Sequence, residues 1–191
     1  MVKPVYWGTI DCDCDKILAL MATKAHPVDV GTERDRDDYD GNEYDNISKY
    51  YDKDEIRYKR WCYEWESLIP DAFFTQTKIK KEPITAVVIE VLPGKVTPPH
   101  VDNYEQLPWK QQVDERDIAR FWITVTKPTL GHALFFDEEV CYNLPQGTIV
   151  EIPQGAEHSA CNAGDTSRVY MSIIGVRDRD AYSCQWKKDE D

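Results

Sequence analysis

The chain has 191 residues, 41% hydrophobic, 12% aromatic and 30% charged, which is enough apolar material for one well-buried domain and excludes a wholly disordered polymer. Its formal net charge of −12 repels phosphate backbones and disfavours nucleic acid as a partner. No apolar run is long enough to span a membrane, and the N-terminus lacks a basic stretch followed by an apolar one. The expected location is therefore the cytoplasm, where the six Cys should stay reduced.

In chain order, residues 1–80 are rich in Asp, Tyr and Lys and poor in periodicity. Cys14–Ala25 reads as a helix, and Tyr50–Leu68, with apolar and aromatic residues loosely at helical spacing, reads as another. Both are expected to pack outside the core. Between them, residues 33–46 invite a calcium-loop reading, but placing Gly41 at the sixth position puts Arg36 first and Ile47 twelfth. Neither is a ligand, so this stretch reads as a solvated acidic loop. Cys12 and Cys14, in Asp-Cys-Asp-Cys-Asp, lack the second Cys/His pair of a zinc site and read as a thiol pair.

Residues 82–176 are dense in β-branched and aromatic residues and are broken by Pro and Gly. Eight strands are predicted: Ile84–Val91, Val96–Asp102, Ile118–Thr126, Gly131–Phe136, Val140–Leu144, Thr148–Ile152, Glu157–Asn162 and Arg168–Val176. Short strands with turns at this spacing indicate a sandwich or barrel. The expected organisation is one domain over 1–191, with an N-terminal elaboration (1–80), a β core (82–176) and a tail (177–191).

Four His are present. His100 and Asp102 lie two apart on a predicted strand, so imidazole and carboxylate share a face. His158 opens a later strand. Two His and one carboxylate on one face of a metal leave three positions open, the ligand set of non-haem ferrous oxygenases. Arg168 follows His158 by ten residues across a turn, at the head of an apolar run. A guanidinium there is placed to grip the distal carboxylate of a dicarboxylate, or else makes a surface salt bridge.

This pattern, His100-Val-Asp102, then His158, then Arg168 ten residues on, resembles the Fe(II)/2-oxoglutarate-dependent dioxygenases. Within that superfamily it is most similar to the aspartyl/asparaginyl β-hydroxylase branch, on residues 98–103 (Pro-Pro-His-Val-Asp-Asn), residues 155–169 and Arg120. The likeness covers roughly residues 82–176. It implies a mainly β, double-stranded β-helix (jelly-roll, cupin-like) barrel with N-terminal helices packed outside. It also implies Fe(II) on His100, Asp102 and His158, and 2-oxoglutarate as cosubstrate with its C5 carboxylate on Arg168. The activity implied is that of a hydroxylase, which uses O2 to oxidise an amino-acid side chain, free or in a polypeptide, and releases succinate and CO2. Some members of the branch lack the carboxylate ligand, whereas Asp102 matches the complete triad.

Several residues could support such a site. Arg120, Trp122 and Thr124 alternate on one face. If that face looks into the barrel, Arg120 meets a substrate or cosubstrate carboxylate and Trp122 walls the pocket; otherwise Phe121, Ile123 and Val125 face the core and Arg120 is solvated. Asn162 either bonds a cosubstrate oxygen or caps a turn, and Tyr170 and Ser172 share the face of Arg168, where either hydroxyl could assist the cosubstrate's C5 carboxylate. The polar connection 103–117 is a candidate lid, with Tyr104, Trp109 and Arg116 as candidate substrate contacts. His132 reads as a structural His, and His26 as a surface one. The competing reading is a non-oxidative, cupin-like metal- or ligand-binding protein. A halogenase, which replaces the carboxylate ligand with a small residue, is disfavoured by Asp102.

Overall fold

The computed structural model describes residues 3–30, 58–102, 104, 107–136 and 139–179. In chain order its elements are β1 Val5–Thr9, α1 Cys14–Thr23, β2 His26–Val30, β3 Tyr58–Cys62, α2 Asp71–Thr77, β4 Ile79–Val91, β5 Lys95–His100, β6 Ile118–Thr124, β7 His132–Phe136, β8 Glu139–Tyr142, β9 Thr148–Ile152, β10 His158–Asn162 and β11 Arg168–Arg177. No helix among the described residues is long and apolar enough to cross a membrane.

The strands form two antiparallel sheets. The large one runs β1-β9-β6-β11-β4-β3-β2 and the small one β5-β10-β7-β8. From β4 onward the chain crosses repeatedly between them. β4, β6, β9 and β11 lie in the large sheet, and β5, β7, β8 and β10 in the small one. Two facing four-stranded sheets woven in this order are a double-stranded β-helix. All eight strands expected over 82–176 are present, with ends shifted by a few residues.

The N-terminal half departs from expectation. α1 forms where predicted, but the helix expected over Tyr50–Leu68 does not. Residues 50–57 lie outside the described residues, 58–62 are β3, and Trp65–Leu68 is a single 3-10 turn. The loose helical spacing is overridden by pairing: β3 hydrogen-bonds along the edge of β4, with Arg60 opposite Ile89. Strand formation is decided there by a neighbour distant in sequence. β2 carries Pro27 and pairs only with β3, an edge position where a missing N–H costs no ladder bond. The first 80 residues thus extend the large sheet at both edges as well as covering it. The acidic stretch 33–46 lies outside the described residues, as does the tail from 180 onward.

Two cores result. α1 starts at Asp13, whose carboxylate accepts from Lys16 N–H at 3.1 Å, an N-cap that satisfies a free helix donor. Its buried stripe, Cys14, Ile17 and Met21, packs with α2's Phe73 onto Phe121 and Ile123 of β6, Val125 just beyond it, and Met171 and Ile173 of β11. The other face of the same strands turns inward. Trp122 and Tyr170 join Ile89, Leu134, Phe136 and Val150 between the two sheets. Ile123 is fully buried in the outer core, so Ile123→Val should lower stability by about 0.5–1.5 kcal/mol. A shift in urea midpoint at constant slope checks this.

Candidate metal centre

β5 and β10 are antiparallel neighbours in the small sheet, with His100 directly opposite His158. This cross-strand pair brings the imidazole centroids to 4.3 Å. β5 ends at His100, and Asp102 lies just beyond it, so it is the chain's exit from the strand rather than strict alternation that returns its carboxylate to the histidines. Oδ1 of Asp102 is 3.7 Å from His100 Nε2 and Oδ2 is 3.6 Å from His158 Nε2. One ligating atom from each residue lies within 4.8 Å of the others, and no other group of three or more such side chains is found among the described residues.

The protonation states suit a cation. Nδ1 of His158 is 3.0 Å from the Ala156 carbonyl. A carbonyl only accepts, so Nδ1 carries the hydrogen and Nε2 presents a bare lone pair. Nε2 of His158 and Oδ2 of Asp102 are both buried without a hydrogen-bond partner. Two orphaned acceptors 3.6 Å apart are costly unless something electropositive sits between them. Burial lowers the His158 pKa, with Arg120 adding to the effect and Asp102 opposing it. Burial pulls the Asp102 carboxyl upward, but Arg120, His158 and His100 outweigh it and hold its pKa below the usual carboxylate value. Neutral imidazole and ionised carboxylate are the forms that bind a metal.

Both faces of β6 are buried: Phe121 and Ile123 do face a core, but Arg120 is not solvated, its side chain being 14% exposed. Phe121 and Ile123 pack outward, while Arg120 and Trp122 face the site. Arg120 Nη1 donates to Asp102 Oδ1, and its Nε donates to Ser172 Oγ at 3.0 Å. Sequence spacing carried no sign of this Asp102–Arg120 pair, because Arg120 lies in the large sheet and Asp102 just past the end of a small-sheet strand. Trp122 stands edge-on to His158 at 5.5 Å and tilted against Tyr170 at 4.4 Å. Phe136, not singled out from sequence, stacks over His158 at 6.0 Å.

Arg168 is 5% exposed. Nη1 donates to the Ala133 carbonyl at 2.6 Å, and the guanidinium lies 5.8 Å from the Tyr170 ring centre. No carboxylate among the described residues lies within ion-pair reach of it, and burial pulls its pKa down. It borders a cavity of about 20 Å³ with Thr124, Thr126, His132 and Cys141. The rings of Trp122 and Tyr170 carry the packing between Arg168 and His158.

The remaining candidates divide. Asn162 spends its amide on the carbonyls of Val91 and Thr166, at 2.9 and 2.8 Å, and its oxygen on Gly164 N–H at 3.0 Å, the capping role. Tyr104 is buried, with its hydroxyl unpartnered; burial and then Asp102 push its pKa up. Trp109 packs beside Tyr104 and Val176, donating to Thr85 Oγ1 at 3.1 Å. Arg116 is not brought to the site: its side chain is 82% exposed and paired with Asp114 at 2.6 Å. His26 is exposed. His132 Nε2 meets Thr129 Oγ1 at 2.9 Å and the Thr166 carbonyl at 3.2 Å, a structural arrangement.

Burial depresses the pKa of His132 as it does that of His158. Below the unperturbed value near 6.5 the unfolded chain takes up protons that the folded chain refuses, so stability falls as pH drops from about 7.5 to 5.5. His132→Gln should flatten that decline in urea midpoints. An unchanged slope would mean that His132 titrates normally.

No protein-family model matches the sequence, and neither does any curated protein. Solved structures similar to it include a Cupin 2 conserved barrel domain protein from Salinispora arenicola (18% identity over 63% of this chain and 75% of that one, TM-score 0.36). A predicted oxalate decarboxylase from Thermotoga maritima is similar at 12% identity, covering 63% of this chain and 81% of that one, TM-score 0.37. KdgF from Halomonas sp. is similar at 14%, covering 65% and 84%, TM-score 0.38. The fold assignment rests on the strand order described above.

Proposed function

We propose that the protein is a metal-binding barrel of cupin type that holds one divalent cation on His100, Asp102 and His158. The observation that carries this is the pair of buried, unpartnered ligand atoms, His158 Nε2 and Asp102 Oδ2. Within that reading we take the ion as Fe(II) and the protein as a 2-oxoglutarate-dependent oxygenase that hydroxylates an amino-acid side chain. Arg168 supports this step: it is a buried guanidinium in the same barrel with no carboxylate among the described residues to neutralise it, and a dicarboxylate's distal end would do so. Bound iron and 2-oxoglutarate would supply the oxidising chemistry, while the protein orients and shields it. Arg120 would hold Oδ1 of Asp102 and leave Oδ2 as the oxygen that takes the metal. Trp122 and Phe136 would fix the His158 ring and exclude water.

A second reading, a non-oxidative metal- or ligand-binding barrel, is favoured by the rings of Trp122 and Tyr170, which pack the space between His158 and Arg168. Anaerobic addition of Fe(II) and then 2-oxoglutarate separates the two. A visible metal-to-cosubstrate charge-transfer band is expected for the oxygenase; metal binding without the band leaves only the second reading. Arg168→Ala should weaken 2-oxoglutarate binding about 10- to 100-fold, the equivalent of about 1.5–3 kcal/mol for a charged hydrogen bond. Metal affinity should be unchanged by calorimetry.

A further inference from the structure

Cys12 and Cys14 take no part in the metal centre. They lie in the core between α1 and the outer face of the large sheet. The chain linking them is an inverse γ-turn. Asp13 has φ −71° and ψ 67°, and Cys14 N–H donates to the Cys12 carbonyl at 2.6 Å, the geometry of that turn. A γ-turn draws the flanking Cα atoms together, into the range a disulfide spans. The two thiols are neighbours, and Cys14 Sγ, while protonated, donates to the Thr124 carbonyl at 4.0 Å.

The turn is fixed at both ends. Ile10 N–H donates to the Gly147 carbonyl at 3.0 Å, and Asp13 caps α1 through Lys16 N–H. Both cysteines border an open cavity of about 500 Å³, with Asp11, Asp13, Asp15, Leu68, Pro70 and Gln146. No third ligating side chain among the described residues joins them in a metal-sized cluster. The cavity therefore offers dithiol chemistry rather than a metal cage.

We infer that Cys12 and Cys14 form a dithiol–disulfide couple that exchanges with small neutral or cationic disulfides. Cys14 is the nucleophile. It is the first residue of the ten-residue helix α1, whose N-terminal amides favour a thiolate. The neighbouring Cys12 thiol lowers its pKa, against burial and the nearby carboxylates, while Cys14 and burial raise that of Cys12. Ionised Cys14, its proton released to solvent, attacks one sulfur of the disulfide R–S–S–R. The S–S bond breaks and the leaving thiolate takes the proton of Cys12. Cys12 Sγ then attacks Cys14 Sγ and expels the second thiolate, which is protonated from solvent. Two electrons pass from the pair to the small disulfide, giving one internal disulfide and two small thiols. The carboxylates of Asp11, Asp13 and Asp15 at the cavity disfavour anionic reagents.

The test incubates the full chain with cystamine or with glutathione disulfide, followed by acid quenching, alkylation after denaturation and peptide mass mapping. With cystamine, the peptide bearing Cys12 and Cys14 should lose two hydrogens and resist alkylation, while exposed Cys62 carries the reagent as a mixed disulfide. Ring closure should be at least about 10-fold faster with cystamine than with glutathione disulfide. Cys12→Ser should trap cystamine on Cys14. Wild-type protein that keeps both thiols alkylatable, or that carries unresolved mixed disulfides at both, overturns the inference. This wild-type result decides the matter whether or not the variant folds.

Discussion

Asp102→Ala should cost the protein both its metal and a large part of its stability, and the two losses are separable. Metal affinity should drop more than about 100-fold, beyond the 10- to 100-fold typical of changes outside the ligand set, because Asp102 supplies the only carboxylate of the cluster. The stability loss has another origin. Asp102 and Arg120 side chains are 9% and 14% exposed, and removing one partner leaves the other charge buried and uncompensated, at a cost of about 3–5 kcal/mol. The Ser172 hydroxyl, which still accepts from Arg120 Nε, carries no charge to compensate the guanidinium. Urea unfolding of metal-free protein isolates this term. Adding Arg120→Met to Asp102→Ala should recover most of it, since an apolar side chain of similar length leaves no orphaned charge. If Asp102→Ala unfolds at the wild-type midpoint, the buried ion pair does not exist in solution.

The second large effect is seen on adding metal. A ligand that binds only the folded chain stabilises it by about 2.7 kcal/mol at a hundredfold excess over its dissociation constant. For a chain of this size that raises Tm by about 5–10 °C. Mn(II) or Co(II) under anaerobic conditions should produce the shift in the wild type. His158→Ala should abolish it, because the variant lacks the deepest ligand and one of the two unpartnered atoms. A shift of wild-type size in His158→Ala would place the ion elsewhere on the protein.

Much of the barrel was legible because its signals are local. Proline–glycine turns and β-branched runs mark β4 to β11, and the strand order of a double-stranded β-helix then makes β5 and β10 neighbours. That adjacency is what sets His100 opposite His158. The features that escaped are those decided by partners far away in sequence. β3, Tyr-Lys-Arg-Trp-Cys, has a composition as compatible with a helix as with a strand until the free edge of β4 is considered. α2 is only seven residues long, too short to display a period. Arg120 could be placed on a face but not assigned to Asp102, because nothing in spacing reports which inward side chains of one sheet reach the end of a strand in the other. Arg116 looked like a lid contact only because it follows the ligand pair closely; its bond to Asp114 turns it toward solvent.

The two sheets differ in how many of their faces are committed. β6 and β11 are dry on both sides, since Phe121 and Met171 meet the helices while Trp122 and Tyr170 meet the barrel interior. β10 has only one dry side: His158, Ala160 and Asn162 turn inward and Ser159 and Cys161 turn out, half-exposed. The ligand-bearing sheet is thus the more permissive half of the protein, open to sequence drift on its outer surface while the scaffold strands behind it are held on both. It is also the place to attach a reporter. A spin label on a cysteine introduced at Ser159 would stand with its back to the candidate ion, one residue from His158, and would register a paramagnetic metal arriving without touching any group that binds it.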